Sequence, residues 1–325
     1  VIGSAAFSAP GKLMLFGEFA VLEGYPALAL CFDKRIRCEA TAGGGALRFE
    51  APQLLDQPIV LPVPLPEVAP PALALLWPLI VEAAPALGGL SLVFDAEFPS
   101  TWGLGSSSAS SLAAVAAVRA LLRQSPDAHA LFGEVRALQR ALQGNASGYD
   151  AATQLLGGVV RFQDPGLAGG DGSATLQRLD VPARHWLVGY TGRKAKTGPM
   201  VRSVRQRHPR GSEIYAQIGD LAVRAVGALA GPDAALGALL NEGHGLLDAL
   251  GAVPGDLRAP MAQLQAHSSV LGARMCGAGG GDCVLVLASD GGATQALADV
   301  GFSVLPLSFT DIGLRAEPLQ PREGS

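Results

Sequence analysis

Four short segments carry side chains that could do chemistry. The first is PSTWGLGSSSASS, Pro99–Ser111, which follows a strand-like run and opens an Ala-rich helical stretch. Gly103 and Gly105, with Leu104 between them, let the backbone turn tightly and approach a ligand closely. Ser106, Ser107 and Ser108 set hydroxyls and unpaired N–H groups at the start of that helix, where aligned peptide dipoles sum to about half a positive charge. A phosphate suits such an end. A serine that merely caps the helix is the plainer reading. The turn is longer than a cap requires. It also lacks the Gly-Lys-Ser/Thr ending of a P-loop, so a phosphate site here is not of that type.

The second segment, Ser8–Leu30, has a Pro10-Gly11 turn, then Lys12 at the head of an apolar strand, then Gly17-Glu18 just after it. Lys12 is either a snorkelling strand-edge residue or a site lysine. The third, LQGNASGYDAATQLLGG, puts Asp150 at an Ala-rich helical start, as a helix cap or as a carboxylate with work to do. The fourth, CGAGGGDCVLVL, joins two strands through a loop almost without side chains, either a floppy hairpin or a close backbone approach to a ligand. Of 24 basic residues only four are lysines, namely Lys12, Lys34, Lys194 and Lys196. Lysine in an Arg-preferring chain marks places where a compact ammonium does what a guanidinium cannot. Arg193, Lys194 and Lys196 sit beside Thr197, with Arg202 and Arg205 beyond; this is a solvated patch or an anion site. The five histidines share no ligand spacing.

The elements that must position these groups are short and mixed. Strands are expected at 28–30, 36–40, 47–50, 90–94, 157–163, 186–190, 273–276, 283–288 and near 302–309. Helices are expected at 108–122, 132–142, 213–229, 233–250 and 257–267. The Pro-rich 51–71 stretch reads as a loop or irregular edge. Strict βαβ alternation is missing, which favours two α+β domains over a doubly wound sheet. The boundary falls near the Gly166–Gly172 loop, giving units 1–168 and 169–325. The length, 325 residues, allows two domains. Hydrophobic residues make up 49% and mean hydropathy is +0.31, which excludes a disordered chain.

A net charge of −4 and a pI of 5.8 argue against nucleic acid as partner. The most apolar stretch, Ala72–Val81, is far short of the ~20 residues of a membrane span, and no secretory leader is visible. Cys31, Cys38, Cys276 and Cys283 lack zinc or redox spacing and read as free thiols in a reducing cytoplasm.

Taken together, in order and spacing, the glycine-containing segments resemble the three motifs of the GHMP kinase superfamily over essentially the whole chain. PxxxGLGSS at Pro99–Ser107 and GAGGGD at Gly277–Asp282 are the specific parts. KLMLFGEFAVLEG from Lys12, QGNASGYD at 143–150 and GAGGGDC resemble the mevalonate-pathway branch, most of all bacterial phosphomevalonate kinases. TGRKAKTGPMV at 191–201 is similar to a stretch found across that branch. Two positions depart from it. Gln139, eleven residues before Asp150, stands where mevalonate kinases carry a magnesium-ligand glutamate. Phe19 stands where the branch usually has Tyr or His.

The resemblance implies a two-domain α+β fold with the active site in the cleft between domains. It implies ATP-dependent phosphoryl transfer with Mg²⁺, to 5-phosphomevalonate giving 5-diphosphomevalonate. The alternatives are mevalonate kinase, another small-molecule kinase of the superfamily, and a non-catalytic ligand-binding relative. Lys12 and Asp150 would be catalytic. Gly103, Leu104, Gly105, Ser106, Ser107 and Ser108 would hold the ATP phosphates, and Ser107 would help hold the metal. Glu18, Ser147, Lys194, Lys196, Thr197, Gly279, Gly280 and Asp282 would surround the substrate, a phosphorylated or hydroxylated small acid. No nucleic-acid or membrane partner is implied, and the enzyme would be a monomer or homodimer.

Overall fold

The structure is a computed structural model. It describes residues 3–144, 146–195 and 197–319, the side chains of Gln143 and Thr197 excepted. The chain opens with β1 (Ser4–Phe16), β2 (Ala27–Ala42), β3 (Ala46–Glu50) and β4 (Ile59–Pro62). Then come α1 (Trp77–Ala86), β5 (Leu90–Ala96), α2 (Ser106–Leu121), α3 (Ala128–Gln143) and α4 (Tyr149–Leu156). β6 (Val159–Gln163) and β7 (Thr175–Leu179) follow. The second half has β8 (Trp186–Tyr190), α5 (Thr197–Arg207), α6 (Glu213–Ala228), α7 (Asp233–Ala249) and α8 (Gly255–Gln265). It closes with β9 (Val270–Met275), β10 (Cys283–Ala288), α9 (Gly292–Asp299), β11 (Ser303–Val304) and β12 (Arg315–Ala316).

Among the described residues one sheet runs β12-β1-β2-β5-β3-β4, with β6 on β2 and β7 on β6; the other runs β11-β8-β10-β9. The α+β arrangement on two sheets is the one the sequence led us to expect. Residues 28–30 and 36–40, read as two strands, are one strand. The first part of β2 pairs with β6 and the last part with β5. The polar Asp33-Lys34 pair between them marks this change of neighbour and imitates a turn in the sequence. The Gly166–Gly172 loop lies inside the first sheet, because it joins β6 to β7, which pair antiparallel. A division at 168/169 therefore leaves β7, and β12 paired with β1, in the unit whose sheet they do not join. Of the strand expected near 302–309 only 303–304 pairs with β8; the chain then crosses back to the first sheet at Phe32–Phe309.

Helix α2 packs on β1 and β2, with Ala109, Leu112, Ala113, Val115, Ala117 and Val118 fully buried. A helix covered nearly all round can hold its first turn rigidly. Truncating Leu112 to Ala would cost about 2–5 kcal/mol by the usual range for buried leucines. Helix α1 tolerates Pro78 because an N–H at the first positions has no intrahelical partner. In the second half α7 and α8 cover β9. Phe19 and Ala20, from the first half, are buried within the second half's apolar cluster.

Candidate active site

Strand β1 slips register against β2 at Pro10-Gly11. Proline has no N–H for a sheet ladder and is tolerated at such a bulge. The serine turn packs on this bend: a Cβ on Gly11 would lie 3.3 Å from Leu104 Cβ. The Lys12 N–H donates to Leu104 O at 2.9 Å.

Lys12 is buried, 5% exposed. Its Nζ lies 2.7 Å from Asp150 Oδ1 and donates to Tyr149 Oη at 3.2 Å. Burial pulls the Lys12 pKa down, but the Asp150 carboxylate and Tyr149 more than offset this and hold it above the ordinary lysine value. Lys12 is a fixed cation. Tyr149 is pushed up by burial and then by Asp150, so it stays a phenol. The snorkelling alternative for Lys12 is set aside by this geometry. The capping alternative for Asp150 is set aside too: the cap of α4 is Gly148 in a left-handed conformation, and Asp150 lies in the first turn.

The serine turn gives the same answer. The cap of α2 is Gly105 at φ 75°, with no side-chain cap hydrogen bond, and Ser106–Ser108 are the first three helical residues. Ser107 is exposed. Ser108 is buried and its Oγ has no hydrogen-bond partner. An uncapped helix start with an unpartnered buried hydroxyl fits an anionic ligand.

Asp282 closes on this turn from the second half. A Cβ on Gly103 would lie 2.8 Å from Asp282 Cγ. The Cys283 thiol donates to Trp102 O at 3.0 Å. Asp282 Oδ1 accepts from the Ala195 N–H at 2.9 Å, and the Asp282 N–H donates to Arg193 O at 2.7 Å. Burial raises the Asp282 pKa, opposed by the Ala195 N–H and then by Lys12 and Lys194.

The loop before Asp282 is not floppy. The Gly280 N–H donates to Ala252 O at 2.8 Å. A Cβ on Gly279 would lie 2.3 Å from Ala252 O, and one on Gly280 2.9 Å from Met200 Cε. The close approach at these two glycines is to the chain itself, whereas Gly277 has nothing within 4 Å of a Cβ.

Other expected site residues are placed differently. Glu18 is not open to a ligand: it is 2% exposed and its Oε2 lies 2.6 Å from Arg274 Nη2. Burial pushes its pKa up, opposed by the Arg274 charge. Ser147 is buried just before α4, 8% exposed. Lys194 is exposed near Asp282, and Arg193 pairs with Asp256 at 2.5 Å. Lys196 lies outside the described residues, and Thr197 starts α5 with its side chain undescribed. Phe19, 6% exposed, is an apolar plug in the second core, so it offers no polar contact.

Three residues were not singled out by the sequence. Tyr149 touches Lys12. Gln154, fully buried, donates from Nε2 to Pro10 O at 2.8 Å and Gly105 O at 3.0 Å, joining β1, α4 and the serine turn. Its position one helical turn after Asp150 was a usable signal. Arg274 donates to Leu15 O at 2.6 Å and pairs with Glu18, tying β9 to the end of β1.

Among the described residues no group of three or more His, Cys, Asp or Glu could hold a metal by itself. Oxygen-bearing side chains beside the turn include exposed Ser107, Asp282 against Gly103, and Asp150, which pairs with Lys12. That set suits Mg²⁺, which keeps waters and relies on substrate phosphates for much of its shell. Among the described residues no helix is long and apolar enough to cross a membrane. All four cysteines are buried and free.

Two family profiles match the chain: "GHMP kinases N terminal domain" over residues 74–158 and "GHMP kinases C terminal" over 225–303. The mevalonate kinase of Thermococcus sibiricus is 30% identical over 307 residues, 87% of this chain and 89% of that protein. The crystal structure of Methanococcus jannaschii mevalonate kinase aligns with TM-score 0.78 at 19% identity, covering 94% of this chain and 98% of that one. Streptococcus pneumoniae phosphomevalonate kinase in complex with phosphomevalonate and AMPPNP aligns with TM-score 0.77 at 24% identity, covering 94% and 99%. At these identities the two structures share the fold with this chain.

Proposed function

The chain belongs to the GHMP kinases and has their two-domain fold, and from that premise we propose that it transfers the γ-phosphoryl group of ATP to 5-phosphomevalonate. An oxygen of the acceptor phosphate attacks the γ-phosphorus, the bond to the β-phosphate oxygen breaks, and ADP and 5-diphosphomevalonate leave. The observation that carries the reading is the 2.7 Å approach of Lys12 Nζ to Asp150 Oδ1 beside the uncapped start of α2. Phosphoryl transfer needs positioning and charge neutralisation more than covalent chemistry, and this arrangement supplies both.

The first-turn N–H groups at Ser106–Ser108 would bind the ATP phosphates. Ser107, with Asp150 or Asp282, would hold Mg²⁺, whose chemistry is to neutralise charge on the phosphates. Lys12 offsets repulsion between acceptor and donor anions. Asp150 orients Lys12 and the accepting group. A phosphate acceptor is largely ionised near neutral pH and asks little of a base. Lys194 and Lys196, with Thr197, are proposed to face the substrate from the second domain; Asp282 would fix the loop that carries them.

A second reading has mevalonate as acceptor. It is supported by the 30% identity to an archaeal protein named mevalonate kinase. There Asp150 would take the proton of a hydroxyl as well as orient it. A coupled ADP-release assay with mevalonate, 5-phosphomevalonate and galactose side by side decides between them. Turnover of 5-phosphomevalonate alone is the expected result. Turnover of mevalonate alone selects the second reading. No turnover with any of them rejects both.

A further inference from the structure

Gln154 is fully buried in α4, one helical turn after Asp150. Its amide enters the seam between β1 and the serine turn. Nε2 donates to Pro10 O at 2.8 Å and to Gly105 O at 3.0 Å, with a longer contact to Leu104 O at 3.4 Å. An amide nitrogen has two hydrogens, so these carbonyls take all that it can give. Gln154 Oε1, by contrast, is buried with no hydrogen-bond partner among the described residues. A stranded buried acceptor costs free energy that an apolar side chain of the same length would avoid. The bonds from Nε2 therefore point to a use beyond packing.

Peptide geometry shows what that use is. The bonds from Leu104 to Gly105 and from Gly105 to Ser106 are trans, so in each the C=O and the N–H point in opposite directions. Gly105 O is held by Gln154 from the β1 side and by the Ala109 N–H at 3.0 Å from within α2. Leu104 O is held by the Lys12 N–H at 2.9 Å. The N–H groups of Ser106 and Gly105 are thereby turned the other way, and neither donates to another group among the described residues. The Ala109 bond fixes the Ser106 N–H only with respect to α2. Gln154 adds the reference to β1, because it joins the same carbonyl to Pro10, two residues before Lys12, and does so from the helix that carries Asp150. The fit is close: a Cβ on Gly105 would lie 3.1 Å from Gln154 Nε2.

We propose that Gln154 is a positioning residue that aims the Gly105 and Ser106 N–H groups at the ATP phosphates and keeps them in register with Lys12 and Asp150. It touches neither reactant. The inference rests on the reading above that the start of α2 takes the ATP phosphates, and it names the group that sets this turn against the Lys12–Asp150 pair. Donors aimed before the substrate arrives need no reorganisation as charge moves. A misplacement of about 1 Å can cost on the order of 10²-fold in rate. A neutral amide also suits the place better than a cationic donor, which would set a second like charge beside Lys12.

The test separates aim from support. Calorimetry with the Mg²⁺ complex of a non-hydrolysable ATP analogue, a thermal melt and steady-state kinetics are compared for wild type, Gln154→Met and Gln154→Asn in the full chain. Methionine fills the length without donors; asparagine keeps the amide but falls one methylene short of the carbonyls. Each should raise the Kd of the analogue by about tenfold or more. Each should lower kcat by at least about tenfold while the KM of the acceptor holds. Affinity for AMP, which lacks the β and γ phosphates, should stay as in wild type. The Tm of Gln154→Met should fall by only a few degrees, since the stranded oxygen goes with the amide; if that variant does not fold, Gln154→Asn carries the comparison. Gln265→Met, which removes a similar bond from α8 to Ala273 O at 2.7 Å, should change neither affinity. A lower Tm with wild-type Kd and kcat makes Gln154 a structural tie only and overturns the inference, as does an equal loss for AMP and the analogue. If the variants weaken the analogue but wild type transfers phosphate to neither 5-phosphomevalonate nor mevalonate, the aiming role stands and the proposed reaction falls. If wild type turns over 5-phosphomevalonate and both variants match it, the reaction stands and the aiming role falls. No binding of the analogue by wild type overturns both.

Discussion

A Cβ on Gly105 would lie 2.7 Å from Lys12 Cε, so the start of α2 and the buried ammonium are packed with no room for one more carbon between them. Residue 105 also sits at φ 75°, which costs an L-residue about 1–2 kcal/mol. Gly105→Ala should therefore displace Lys12, lowering kcat by at least about tenfold and lowering Tm. Gly133→Ala in α3, where a Cβ meets nothing within 4 Å, should keep activity and hold or raise Tm. Steady-state kinetics and a thermal melt check both. A fully active Gly105→Ala would disconnect the turn from Lys12.

Lys12 and Asp150 should act as one unit. Lys12→Met and Asp150→Asn are each expected to lower kcat by about 10²–10⁴ with ATP binding retained. The double variant should lose scarcely more than the worse single one, because residues that act together are not additive. Losses that multiply would mean that the 2.7 Å contact is not used in turnover.

The Glu18–Arg274 pair should matter to stability and to how the halves meet. Both side chains are almost fully enclosed, at 1% and 2% exposure. Arg274→Met strands a buried carboxylate and should cost about 3–5 kcal/mol. Adding Glu18→Gln should return part of that, since the second change removes the stranded charge. Urea denaturation of the two singles and the double reads the coupling. Equal stability of the Arg274→Met single and the double would reject it.

His244 should make stability fall in mild acid. Burial, then the Arg274 charge, lowers its pKa from 6.5 to about 4 in the folded chain. Between those values the unfolded chain binds a proton that the folded chain refuses. Stability is therefore full above about pH 6.5 and is lost as pH falls towards 4, by on the order of 3 kcal/mol from this group. The difference in unfolding free energy between wild type and His244→Asn, followed from pH 7.5 to 4.5, should change in that window. A constant difference across it would remove His244 from the acid response.

Much of the site was legible in the chain because its chemistry is local. A Gly-Leu-Gly turn before three serines was legible as the start of a helix, since backbone dihedrals depend on neighbours in sequence, whereas the lack of a side-chain cap there was not. The helices at 213–228 and 233–249 were legible for the same reason. The single strand β2 was not, because Asp33-Lys34 breaks the pattern where the strand changes partner. Glu18 was expected at the substrate only from the resemblance, and nothing near it in sequence announces Arg274.

The sequence by itself determined which groups are available: one lysine on an apolar strand, one aspartate after a glycine turn, serines at a helix start, and arginines in plenty. Only the tertiary structure decided which of them meet. Lys12 finds Asp150 and Tyr149 across 137 or more residues, and Gln154 stitches Pro10 to Gly105. The Lys12 and Gln154 contacts depend on burial that removes water and raises the worth of a charge pair or hydrogen bond. Burial comes from packing distant segments together, and no spacing along the chain encodes that distance.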